Sequence, residues 1–121
     1  MAKTVLIVDD ASLIRSVASK AAESAGYNVI TASDGTEGLE KLKANQIDLV
    51  FSDVNMPQMG GLEMVEHIKA DPANKFLPIV MLTTESSQEL KDKGKALGVK
   101  AWLVKPFNKD KFLLALEKLL G

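Results

Sequence analysis

The sequence predicts one α/β domain whose strands run parallel. Five short apolar runs alternate with five longer segments of helical period, an order that implies parallel pairing through right-handed crossovers. The third run, Ile47–Ser52, is almost continuously apolar, as a strand covered on both faces should be. The runs also stop at charged residues: Asp9 and Asp10 after the first, Asp53 after the third, Lys105 after the fifth. In a sheet of this kind those stops share the carboxyl edge, where ligands bind.

Each element has its own signal. Val5–Val8 leads into a helix with Leu13, Ile14, Val17, Ala18, Ala21, Ala22 and Ala25 on one face, stopped by Gly26. Tyr27–Ala32 is the second strand, and its helix carries Leu39 and Leu42. After Ile47–Ser52 comes a helix with Leu62, Val65 and Ile68. Pro78 opens the fourth strand, Ile79–Leu82, before a weaker helix with Leu90 and Leu97. Ala101–Val104 is the fifth strand, and the last helix shows Phe112, Leu113, Leu116, Leu119 and Leu120 behind an Asn108 N-cap. No linker or shift in composition divides the chain, so residues 1–121 read as one domain.

Composition narrows the function classes. A chain of 121 residues can bury about two thirds of its unfolded surface. With 46% apolar and 26% charged residues it is an ordinary globular sequence. A net charge of −1 argues against a nucleic-acid binder. The absence of cysteine removes disulfides, thiolate chemistry and zinc–cysteine sites. The first apolar run is too short for a signal peptide or a membrane span. A cytoplasmic protein without membrane association is expected.

Carboxylates facing one ammonium group stabilise a fold poorly, because like charges repel and each must stay solvated or paired. They suit a divalent metal and a phosphoryl group. Asp53 is the candidate nucleophile, since a carboxylate can attack phosphorus to form an acyl phosphate. Asp9 and Asp10 would hold Mg²⁺ beside it, as oxygen ligands suit that ion, with the backbone carbonyl of Asn55 completing the set. Lys105 supplies a point charge and Thr83 a hydroxyl donor for phosphate oxygens. Taken singly, each residue has a plainer explanation: a helix cap for the acidic pair, a turn for Asp53, packing for the others. The shared edge of the sheet is what favours the chemical reading.

With Asp9-Asp10, Asp53 in Ser-Asp-Val-Asn-Met-Pro, Gly60-Gly61, Thr83-Thr84 and Lys105-Pro106-Phe107, the chain resembles the receiver domain of two-component response regulators over its full length. The stand-alone chemotaxis type is the nearest in character. The resemblance implies a flavodoxin-like strand order 2-1-3-4-5, the order for which chemotaxis receivers are a stock example. It implies phosphoryl transfer to Asp53 from a phosphohistidine of a sensor histidine kinase, with Mg²⁺ on Asp9, Asp10, Asp53 and the Asn55 carbonyl. Asp10 is then the more direct ligand. The Lys105–Pro106 bond is expected cis, aiming the lysine inward.

The resemblance also implies a switch. Thr83 moves to the phosphoryl group, and the aromatic residue of the fifth strand, here Trp102, turns into the space vacated. That resets a face formed by the fourth helix, fifth strand and fifth helix. Tyr or Phe is the commoner residue at this position, so the bulk of Trp102 puts full rotation in question. Thr84 replaces the usual smaller residue and could narrow the site. Asn55 and Glu85, each two residues past a site residue, flank the hydrolytic water and tune phosphate lifetime.

From Lys91 to Lys111 seven lysines stand against two aspartates, read as a solvated helix face, with steering of an acidic partner as the alternative. His67, among Glu63, Glu66 and Lys69, reads as solvated. The chain ends at Gly121, directly after the fifth helix, so output is expected through protein contact by a monomer. The expected partner is a flagellar motor switch protein or another downstream protein, with a phosphatase possible. Catalysis is confined to the chain's own phosphorylation and dephosphorylation, so it is not classed as an enzyme. A phosphate sink or a regulator outside motility remains the alternative. A flavin carrier is disfavoured by negative charge in the first turn, and an aspartate-dependent phosphatase by Asn55 where a second acid belongs.

Overall fold

The computed structural model describes residues 2–84 and 88–121. Its sheet has five strands in the order β2-β1-β3-β4-β5, with every pairing parallel. The strands are β1 (Thr4–Val8), β2 (Asn28–Ala32), β3 (Leu49–Asp53), β4 (Ile79–Thr83) and β5 (Ala101–Val104). Five helices follow them: α1 (Ser12–Ser24), α2 (Gly35–Ala44), α3 (Gly61–Ala70), α4 (Gln88–Leu97) and α5 (Lys109–Leu120). A short 3₁₀ turn spans Pro72–Asn74. The expected fold and strand order are therefore present.

Alternate residues of each strand face opposite layers. Leu6, Val8, Val50, Ile79 and Met81 pack with Met64, Val65 and Ile68 of α3, and with Leu39, Leu42, Leu90 and Leu97 at the margins. Val5, Ile7, Leu49, Phe51, Val80 and Leu82 pack against Ala18, Ala21 and Ala22 of α1 and Phe112 and Leu116 of α5. All five residues of β3 and of β4 are buried. That two-sided burial is why the third run carries so little polarity.

Two boundaries differ from the sequence reading in a way that matters. Asp53 and Thr83 are the last residues of β3 and β4, not the first residues beyond them. Register pairs Asp53 with Leu82 and Thr83 with Val104. The α1 face also needs correction: Leu13 is 71% exposed and Val17 41%. At 100° per residue, Ile14, Ala18, Ala21 and Ala22 form the inward stripe and Leu13 and Val17 fall beside it, while Ala25, also expected on that face, caps the helix end and is exposed. Alanines on that stripe let the helix sit close to the sheet.

The predicted caps are present. Asn108 Oδ1 accepts from the Lys111 amide at 2.9 Å. Gly26 follows α1, donating to Glu23 O at 3.0 Å while Tyr27 donates to Ala22 O, the double bond of a Schellman stop.

Candidate functional site

Backbone hydrogen bonds extend the sheet past its strand ends and so fix where the site residues start. Asp9 N donates to Ala32 O at 3.1 Å, Val54 N to Leu82 O at 3.2 Å, and Lys105 N to Thr83 O at 2.7 Å. The Lys105–Pro106 bond is cis, as expected. Phe107, next in line, meets Phe51 of β3 and Phe112 of α5 at ring-centroid distances of 6.1 and 5.3 Å, and those two rings lie 4.7 Å apart. This three-ring cluster anchors the turn that carries Lys105. In the sequence Phe107 is visible only as part of Lys105-Pro106-Phe107; its pairing with Phe51 and Phe112 depends on the third dimension.

The acidic residues converge. One carboxylate oxygen from each of Asp9, Asp10 and Asp53 lies within 4.8 Å of the others. Asp9 and Asp53 are buried and Asp10 is exposed. Asp53 Oδ2 is 3.2 Å from Lys105 Nζ. Asp9 Oδ1 accepts from the Ala11 amide at 2.8 Å, and the Asp9 carbonyl accepts from Arg15 Nη1 at 2.6 Å. The remaining oxygens, Asp53 Oδ1 and Asp9 Oδ2, are buried with no hydrogen-bond partner among the described residues.

Two such buried oxygens are costly unless a cation lies against them. A donor set made only of oxygens suits a hard ion such as Mg²⁺. The trio therefore fits the Mg²⁺ expected from the sequence.

Burial holds the Asp9 carboxyl above its ordinary value of 3.8. The Ala11 amide acts against burial, Asp53 adds to it, Lys105 opposes it and Asp10 adds slightly. The folded state thus prefers neutral Asp9. This penalty is absent below the unfolded value near 3.8. It grows as pH rises through the raised folded value and is complete above it. Asp9→Asn keeps an acceptor for Ala11 and removes the charge. Without metal at neutral pH it should gain about 1 kcal/mol, or roughly 4 °C in Tm. The gain should shrink toward acid in thermal melts taken with a chelator; an equal gain at all pH values would contradict this origin.

Thr83 is buried at the end of β4, and Thr84 beyond it is exposed. Asn55 lies exposed two residues past Asp53. Trp102 is half-buried on β5, paired with Met81. Glu85 lies outside the described residues. His67 is exposed, with Glu63 at 4.0 Å. Lys93, Lys95, Lys100, Lys109 and Lys111 are exposed, as a solvated face requires. Met56 and Met59 pack at the margin of the α3-side core.

A parallel doubly wound sheet with an acidic trio and one lysine at its carboxyl edge defines an α/β domain of the receiver class. The response regulator receiver domain family matches residues 5–117. CheY1, a chemotaxis protein of Helicobacter pylori, is 37% identical over 118 residues, covering 96% of this chain and 95% of its own. PilG of Pseudomonas aeruginosa is 34% identical, covering 93% and 84%. The solved structure of the Vibrio cholerae chemotaxis protein CheY4 superposes with a TM-score of 0.94 at 47% identity, over 99% of this chain and all of that one. This chain belongs to the response regulator receiver family, and so to two-component signalling.

Proposed function

We propose that the chain is a phosphorylation-driven signalling switch that takes a phosphoryl group from a sensor histidine kinase onto Asp53. The observation that carries this reading is the state of Asp53: buried, one oxygen on Lys105 and the other without a hydrogen-bond partner among the described residues. In the transfer, a carboxylate oxygen bonds to phosphorus as the bond from phosphorus to the kinase histidine breaks, leaving an acyl phosphate. Water later cleaves it and releases phosphate. Both steps occur on the chain's own side chain, which is why we class it as a switch and not as an enzyme.

Asp9, Asp10, Asp53 and the carbonyl of Asn55 would hold Mg²⁺. When bound, the ion supplies positive charge against the phosphoryl oxygens as transfer proceeds. Lys105 brings a second positive charge, already held at the acceptor carboxylate, and Thr83 a hydroxyl at the adjoining strand end. Asn55 and Glu85 are assigned to tuning hydrolysis. The output face is α4, β5 and α5, with Thr83 and Trp102 linking it to the acceptor. Relatives named as chemotaxis proteins, CheY1 and the 35% identical CheY-3 of Vibrio cholerae, favour a flagellar motor switch protein as target. A cytoplasmic site of action follows from this reading, and among the described residues no helix is long and apolar enough to cross a membrane.

The test is to add a small phosphodonor with and without Mg²⁺ and locate the phosphoryl group by mass spectrometry. Magnesium-dependent labelling at Asp53 is expected; labelling elsewhere sinks the reading. Asp10→Ala should weaken Mg²⁺ affinity about tenfold or more, since even second-layer groups carry that much. Titration of the single tryptophan's fluorescence with Mg²⁺ reads it, and unchanged affinity would place the metal elsewhere.

A further inference from the structure

Helix α4 meets the sheet through very little. Gly94 is its one buried residue, while Leu90, Lys91 and Leu97 are half-buried and the rest are exposed. A side chain at position 94 would run into the indole of Trp102: its Cβ would overlap Cζ2, lie 2.9 Å from Cε2 and 3.1 Å from Cη2. All three nearest atoms belong to the benzo ring of that one residue. The ring also touches the core on the α3 side of the sheet. Local helix physics offers no reason for glycine in the middle of Gln88–Leu97, where it is the weakest ordinary helix former. Packing does: the bicyclic ring reaches the helix axis side only where no Cβ stands.

We propose that Gly94 is a positioning residue for Trp102, forming in α4 the seat that receives its indole. Gly94 thereby decides which way the β5 aromatic points and how closely α4 lies on β5. Trp102 pairs with Met81, two residues below the Thr83–Val104 pair, so the seat lies on the output side of the acceptor and not within it. The consequence for signalling rests on the switch proposed above; the seat itself does not.

The experiment uses the full chain with a chelator and no phosphodonor. In Gly94→Ala the ring must leave its seat, so tryptophan emission should move to longer wavelength and acrylamide quenching should rise. Thermal melts then separate seat from helix. Gly94→Ala should lower Tm in the otherwise native chain. In a Trp102→Leu background it should raise Tm by roughly 2–6 °C, because only the helix preference for alanine remains. Unchanged emission and quenching in Gly94→Ala would overturn the proposal. So would an equal Tm shift in both backgrounds, which would assign Gly94 to backbone packing instead. These readings need no phosphate, and they decide the seat whether or not Asp53 is an acceptor. Labelling of Asp53 in Gly94→Ala should match the unsubstituted chain under a phosphodonor with Mg²⁺; its loss would place Gly94 in the acceptor site and overturn the positioning role.

Discussion

Asp53→Asn should abolish phosphoryl transfer, lowering labelling from a phosphorylated kinase or a small phosphodonor by at least about a hundredfold. The amide has the shape of the carboxylate but no nucleophilic oxygen. It can still accept from Lys105 Nζ, which sits 3.2 Å from Oδ2, so the fold should be kept. Circular dichroism and a melt before labelling check that point. The same substitution should also remove the fluorescence response of Trp102 to beryllofluoride with Mg²⁺, because that mimic needs the carboxylate. A variant that is folded and labelled like the native chain would mean the acceptor is another residue. The ordered position of Asp53 at the end of a fully buried strand would then be structural.

Much of this site was legible because the sheet does the assembling. Once Val5–Val8, Ile47–Ser52 and Ala101–Val104 are taken as parallel strands, the residues after them must share an edge. Asp9, Asp53 and Lys105 do meet there. Finer features were not legible. That Asp53 and Thr83 are still within their strands depends on register, which a continuous apolar run does not specify. Leu13 and Val17 looked inward because an alanine-rich helix gives too little contrast to locate its buried stripe. The Phe51–Phe107–Phe112 cluster joins β3 to the distant segment that runs from β5 into α5, and no periodicity links them. Gly94 carries no signal in the sequence; only the indole beside it gives it a purpose.

Gly61→Ala should be among the most destabilising small substitutions in the chain, costing about 3 kcal/mol. Gly61 opens α3, and its amide donates to Val54 O at 2.9 Å, drawing the helix onto the backbone that follows β3. A Cβ there would overlap Asp53 O and stand 2.6 Å from Met81 Cε and 3.1 Å from Val54 Cα. Met81 is flexible and could yield. The Asp53 and Val54 backbone cannot, because the β3–β4 ladder and the Val54–Leu82 bond hold it. Helix propensity favours alanine over glycine, so propensity and packing predict opposite signs. Urea unfolding decides between them. A fall in midpoint at unchanged slope would show that packing wins, whereas a stable variant would mean that α3 can back away from β3 freely. Retreat of α3 would also drag the segment carrying Asn55, so weaker Mg²⁺ binding in the surviving folded fraction should accompany the loss. Here fold and site share one constraint: the close approach that seats α3 also fixes the backbone on which the acceptor carboxylate stands.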